Sequence, residues 1–125
     1  MSESAAINDS EWELLAVLWQ RGQGTARDVT DALVASKGWA YSTVKTMLDR
    51  MVDKELVEAT RVGNVWNYRA LVEREAAQRS AWSRFVDTVF RGTVDPALAL
   101  LAGDKRLSKS QRAKLRALLD EEGDA

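Results

Sequence analysis

Between Tyr41 and Lys54, the residues Ser42, Lys45, Thr46, Asp49, Arg50 and Asp53 recur at intervals that place them on one side of a helix, with Thr43 beside them. Val44, Met47, Leu48, Met51 and Val52 gather on the other side. One face is apolar and the other mixes short hydroxyls with cations. A threonine can set its methyl against a thymine methyl and its hydroxyl on a base edge or a phosphate, so Thr43 and Thr46 suit a DNA major groove. Lys45 can reach a guanine or a phosphate, and Arg50, a turn further on, suits the sugar-phosphate backbone. Asp49 and Asp53 complicate this face, because a carboxylate near phosphates is repelled unless it accepts from cytosine or pairs with a cation. Either Asp49 reads a base or it shapes Lys45 or Arg50. Any solvated helix face can carry such charges, so the meaning of this one depends on the elements that hold it.

Little else in the chain suits chemistry. Its 125 residues include no cysteine and no histidine. That removes disulfides, thiolate zinc sites, a cysteine nucleophile and the commonest general base. Glu11 with Glu13, and the Asp120 to Asp124 tail, have no base, metal partner or enclosing pocket in prospect and read as surface charge. No catalytic residue, metal ligand or cofactor is expected. The start, Met1 to Ala6, has neither a basic n-region nor an apolar h-region, and no stretch approaches the ~20 apolar residues that span a bilayer. A cytoplasmic protein without membrane association is the expectation.

Charge sets a condition on nucleic-acid binding. The chain carries 18 basic and 19 acidic residues, for a net charge of −1. Division after Ala70 leaves 8 basic and 10 acidic residues before it and 10 basic and 9 acidic after it. Neither part offers a broad positive field, so affinity for DNA must come from locally placed cations and from two copies acting together.

The elements that would hold the mixed face are legible as caps and periods. Asn8-Asp9-Ser10-Glu11 forms a capping box, and Trp12, Leu15, Ala16, Leu18 and Trp19 recur at helical spacing before Gly22, predicting a helix over Asp9 to Arg21. Thr25 with Asp28 repeats the box ahead of Val29, Ala32 and Leu33, predicting a second helix to about Ser36, with Gly38 in the turn. The third helix runs from Tyr41 to Lys54. After Leu56 the period becomes alternating, predicting strands over Val57 to Val62 and Val65 to Leu71 around Gly63-Asn64. Arg61 and Arg69 flank that turn and can meet phosphates or a minor groove. Trp66 and Tyr68, on one face of the second strand, are expected in the core, as are Trp39, Met47 and Met51. Three helices followed by a hairpin is the order of a winged helix-turn-helix.

From Val72 the pattern is helical again. Ala77, Ala81, Trp82, Phe85, Val89 and Phe90 form a stripe, Leu98, Leu100 and Leu101 a second, and Leu115, Leu118 and Leu119 a third after a Ser108–Gln111 capping box, with a frayed acidic tail beyond. Such helices lack a core of their own, so a second copy is the expected cover, with Trp82, Phe85, Val89, Phe90, Leu98, Leu101, Leu115, Leu118 and Leu119 at the dimer contact. The chain therefore reads as mainly α, with a winged-helix domain over residues 1–71 and a helical dimerisation domain over 72–125. A winged-helix adaptor that binds protein and not DNA is the alternative.

The residues also resemble a known family. Asn8-Asp9-Ser10-Glu11-Trp12-Glu13, Leu18-Trp19, Trp39 with Thr43-Val44-Lys45-Thr46-Met47-Leu48-Asp49-Arg50-Met51, and the Val62 to Tyr68 segment are similar to the penicillinase-repressor family, the BlaI/MecI/CopY group. Phe90-Arg91-Gly92-Thr93 and the leucine-rich segment after it resemble the family's dimerisation region more loosely. The resemblance implies a homodimeric repressor on a pseudo-palindromic operator, often with TACA and TGTA cores, controlling bacterial resistance or stress genes. It implies that Thr43 and Thr46 read bases, with Lys45 beside them and Arg50 on the backbone, and it brings in a sensor protease acting in trans as a candidate partner. Two departures follow. Copper-responsive members use a cysteine cluster that is absent from this sequence, and the Asn-Phe cleavage pair of protease-controlled members is matched here by Leu100-Leu101 after an inserted Pro96. Ala40 and Tyr41 stand where staphylococcal members resemble Ser-Pro, so a weakly capped third helix is expected.

Overall fold

A computed structural model of the chain describes residues 6–123. Met1 to Ala5, read above for a targeting signal, and Asp124 of the acidic tail lie outside the described residues. The elements are α1 (Asp9–Arg21), β1 (Gly24–Thr25), α2 (Ala26–Lys37), α3 (Tyr41–Asp53), β2 (Val57–Val62), β3 (Val65–Ala70), α4 (Arg74–Val89), α5 (Asp95–Ala102) and α6 (Lys109–Gly123). This is the winged-helix order expected from the sequence, followed by helices.

Local chemistry sets most boundaries. The Asn8 side chain accepts from the Glu11 N–H at 2.8 Å while the Glu11 carboxylate accepts from the Asn8 N–H at 3.0 Å, which starts α1. Thr25 and Asp28 do the same for α2, at 3.0 Å in both directions. Gly38 ends α2 in the left-handed region, φ 63°, and its N–H bonds back to the Leu33 and Val34 carbonyls. At the start of α3, Ala40 supplies no side-chain cap, as its type predicts.

The sheet has three strands, where the sequence suggested two. Short β1 pairs with β3, Gly24 opposite Tyr68 and Thr25 opposite Asn67, and β3 pairs on its other side with β2, from Val57–Ala70 to Val62–Val65. Two residues carry no alternation, so period alone cannot reveal β1. Gly24 is buried there, and a Cβ on it would meet Arg21 Nε at 3.3 Å and Asp28 Cβ at 3.4 Å.

The core of this part joins Leu14, Leu15 and Leu18 of α1, Val29 and Leu33 of α2, Val44, Leu48 and Met51 of α3, and Leu56, Val57 and Tyr68. Burial of each large apolar side chain contributes ~1.5–3 kcal/mol, so Val44, Leu48 and Met51 fix which face α3 turns outward. Three core expectations are corrected. Leu14 is buried and Ala16 exposed, and Thr30 is buried while Ala32 is exposed, with the Thr30 hydroxyl donating to the Ala26 carbonyl at 2.7 Å. Trp66 is 44% exposed, because the helices cover this face of β3 at Tyr68 and not towards the hairpin end.

The chain packs as two compact units, Met1–Trp82 and Ser83–Ala125. In the first, the Trp19 indole N–H donates to the Val72 carbonyl at 2.9 Å, the Arg74 guanidinium lies 5.4 Å from the Trp19 ring centre, and Ala77 is buried. In the second, Val86 and Ala97 are buried, whereas α6 reaches only partial burial, at Leu115. Ser108 and Gln111 form the expected capping box ahead of α6, with bonds of 2.8 and 3.1 Å. Asp120, Glu121 and Glu122 continue α6 in place of the frayed tail expected, since glutamate is a good helix former. Among the described residues no helix is long and apolar enough to cross a membrane.

Candidate nucleic-acid interface

The packing of α3 through Val44, Leu48 and Met51 leaves Ser42, Thr43, Thr46 and Arg50 exposed together on its outer face. Arg50 borders an open groove with Met47 and the start of α1, Asn8 to Glu11. At the uncapped end of α3, the Arg27 guanidinium of α2 stacks 4.6 Å from the centre of the half-exposed Tyr41 ring. That contact braces the first turn of α3 against α2, where a side-chain cap is missing.

Lys45 is placed differently from its neighbours. It is partly buried, and its ammonium lies 2.9 Å from each carboxylate oxygen of Asp49, one turn along the helix. Asp49 Oδ1 also accepts from the Tyr68 hydroxyl at 3.1 Å. The hydrogen bonds to Asp49, with the nearby Tyr68 hydroxyl, hold the Lys45 ammonium pKa above its usual value, and burial pushes the Tyr68 phenol up. Of the two roles left open for Asp49, the geometry supplies the contact to Lys45. The signals were present in the sequence: lysine and aspartate at i and i+4, and a core tyrosine whose hydroxyl needs a partner.

The β2–β3 hairpin turns at Gly63, φ 64°, and Asn64. Arg61 sits opposite Trp66 in the ladder, its guanidinium 5.8 Å from the Trp66 ring centre and its Nε donating to the Gly63 carbonyl at 3.2 Å. Val62 and Val65 beside them are exposed, so the hairpin end presents a cation flanked by apolar surface. Arg69 lies further down β3, opposite Glu58, and forms an ion pair with it. The structure thus gathers the hydroxyls and Arg50 on α3 and sets Arg61 at the hairpin end. It engages Lys45 and Arg69 with carboxylates.

The residues assigned to the dimer contact are mostly solvent-facing in the single chain. Trp82, Phe85, Val89, Leu98, Leu101, Leu118 and Leu119 are exposed, while Phe90 and Leu115 are partly buried. The Phe85 and Phe90 rings meet edge to face, with centres 5.4 Å apart.

Comparisons with known proteins follow the same lines. Residues 7–121 match the family model described as penicillinase repressor. An uncharacterised 16.5 kDa protein encoded 3′ of ptsI in Latilactobacillus sakei is 31% identical over 113 residues, 90% of this chain and 77% of that protein. The methicillin resistance regulatory protein MecI of Staphylococcus aureus strain N315 is 21% identical over 114 residues, 91% of this chain and 93% of MecI. The solution structure of monomeric Bacillus licheniformis BlaI in complex with the blaP half-operator superposes with a TM-score of 0.51 at 25% identity, over 58% of this chain and 88% of that one. With nearly its whole length matched and its first unit built as a winged helix, the chain belongs to the penicillinase repressor family of transcriptional repressors.

Proposed function

We propose that this chain represses transcription as a homodimer that sets α3 of each copy in the major groove of a pseudo-palindromic operator. The carrying observation is the face of Ser42, Thr43, Thr46 and Arg50, held outward by burial of Val44, Leu48 and Met51 on the opposite side of α3. The likeness to BlaI, solved with its half-operator, supports the same use of that face. In this reading Ser42, Thr43 and Thr46 contact base edges with Lys45 beside them, Arg50 contacts phosphate, and the hairpin brings Arg61 and Arg69 to the flanking backbone.

The second unit joins the copies. Leu98, Leu101, Leu118 and Leu119 are exposed on helices that bury little within one chain, and a second copy of the same helices covers them without new chemistry. Two recognition helices then act on one duplex, which recovers the affinity that a chain of net charge −1 lacks. The protein acts by occupying a promoter in the cytoplasm and not by catalysis.

Selection of random duplexes by the purified protein near ~0.15 M salt tests this reading. An enriched pool with a two-fold dyad at fixed spacing is expected. Folded, dimeric protein that enriches nothing would overturn it and favour a protein-binding adaptor.

A further inference from the structure

The Lys45–Asp49–Tyr68 chain is poorly explained as a stabilising device. The side chains of Lys45 and Asp49 are 34% and 56% exposed, and such surface ion pairs add little to stability. Lysine before aspartate is also the less favourable order on a helix. What the arrangement does is fix a lysine. Tyr68 is 1% exposed and lies on the central strand, paired with Gly24 on one side and Ala59 on the other, so its hydroxyl is a rigid point. Asp49 hangs from that point at 3.1 Å and grips the ammonium with both oxygens at 2.9 Å, while the ammonium stays 5.8 Å from the Tyr68 ring centre.

This changes the chemistry that Lys45 can offer. A free lysine is a mobile point charge and seeks phosphate. Here its charge is cancelled locally and its stem is held, yet an ammonium has three donors and the carboxylate engages at most two. The remaining N–H is a directional donor with little net charge behind it. Such a group gains little from a phosphate and more from an acceptor at a defined position, such as the O6 or N7 of guanine.

We propose that Asp49, braced by Tyr68, is a specificity-determining positioning residue that turns Lys45 from a phosphate-seeking cation into a base-reading donor. The proposal rests on the DNA-binding reading above. It assigns the one-turn spacing of Lys45 and Asp49 a role in sequence discrimination, and it makes the sheet part of the recognition surface through a hydroxyl that never touches DNA.

The test uses the full chain and its D49N, Y68F, K45M and K45M/D49N variants, on the duplex selected by the wild type and on a scrambled duplex, across a salt series. D49N keeps the shape and an acceptor for Tyr68, and thermal unfolding of each variant without DNA verifies the fold. D49N is expected to bind the scrambled duplex ~3- to 10-fold tighter, with a salt slope steeper by ~0.9, while its preference for the selected duplex falls ~10-fold or more. Y68F should move the same way by less. In the K45M background, D49N should leave the preference unchanged. Equal changes on both duplexes with an unaltered salt slope overturn the proposal, as does a loss of preference that persists without Lys45, which would make Asp49 itself the reader. Those results leave the DNA-binding reading standing, whereas a wild type that selects no duplex removes both.

Discussion

Glu11 and Lys54 tie the first turn of α1 to the end of α3: the same Glu11 oxygen accepts from the Asn8 N–H at 3.0 Å and from the Lys54 ammonium at 2.7 Å. Lys54 also donates to the Ala6 carbonyl at 2.9 Å. Glu11 is 5% exposed, so its capping role and its ion pair share one buried carboxylate. Loss of Lys54 leaves that charge without its partner. Lys54→Met is expected to lower stability by ~1–3 kcal/mol, seen as a lower urea midpoint at unchanged m. Glu11→Gln keeps the capping-box oxygen and should restore part of the loss when combined with Lys54→Met. A Lys54→Met cost below ~0.5 kcal/mol would mean that the pair behaves as an ordinary surface bridge.

On the proposed reading, Thr46 and Arg61 would make two different kinds of DNA contact. Thr46 is exposed in the middle of the α3 face, and Arg61 stands at the hairpin end against Trp66. Thr46→Ala should weaken binding to the selected duplex by ~1–3 kcal/mol and leave scrambled DNA nearly unchanged. Arg61→Ala should weaken both and flatten the salt slope by about one phosphate contact. Equal losses for Thr46→Ala on both duplexes would remove its base-reading role, and an unchanged slope would remove Arg61 from the phosphate contacts.

The contrast between α1 and β3 shows where sequence reading reaches its limit. The Asn8–Glu11 and Thr25–Asp28 boxes close over three residues, so α1 and α2 could be placed from their own chemistry. Alternation in β3 set Trp66 and Tyr68 on one face, but burial of that face depends on how far the helices extend over it, and cover ends at Tyr68. Asp49 stayed ambiguous because its second partner lies 19 residues away on a strand whose position depends on the whole fold. In the second unit the leucine spacing revealed apolar stripes, but a stripe carries no statement of what covers it.

Asp28 gives α2 an acid-sensitive start. The Thr25 N–H donating to its carboxylate, ahead of the Thr25 hydroxyl and the Arg21 guanidinium at 3.3 Å, holds its pKa below the ordinary carboxylate value. A depressed pKa in the folded state means stability that is present above the unfolded value and lost as pH falls through the folded one. Asp28→Asn keeps an oxygen for the Thr25 N–H and removes the titration. The variant should therefore lose less stability than the wild type between pH ~6 and ~3. Parallel declines of the two proteins over that range would show that Asp28 carries no such linkage.

The proposed dimer contact can be probed without disturbing the core of one chain. Leu98 and Leu119 are 50% and 58% exposed, so a charge at either position replaces surface that solvent already reaches in a single copy. At a dimer contact the same charge is driven into an apolar interface, where an unpaired carboxylate is strongly unfavourable. Leu98→Glu and Leu119→Glu should keep the helix content and the urea midpoint of the first unit while raising the dimer dissociation constant ~100-fold in sedimentation equilibrium. Binding to a full dyad should then fall towards that of a half-site, because the second recognition helix no longer arrives with the first. Variants that stay dimeric would place the contact elsewhere in the chain. A wild type that sediments as a monomer at micromolar concentration would leave dimerisation to occur only on DNA, and the same substitutions would then act on cooperativity between half-sites rather than on the free protein.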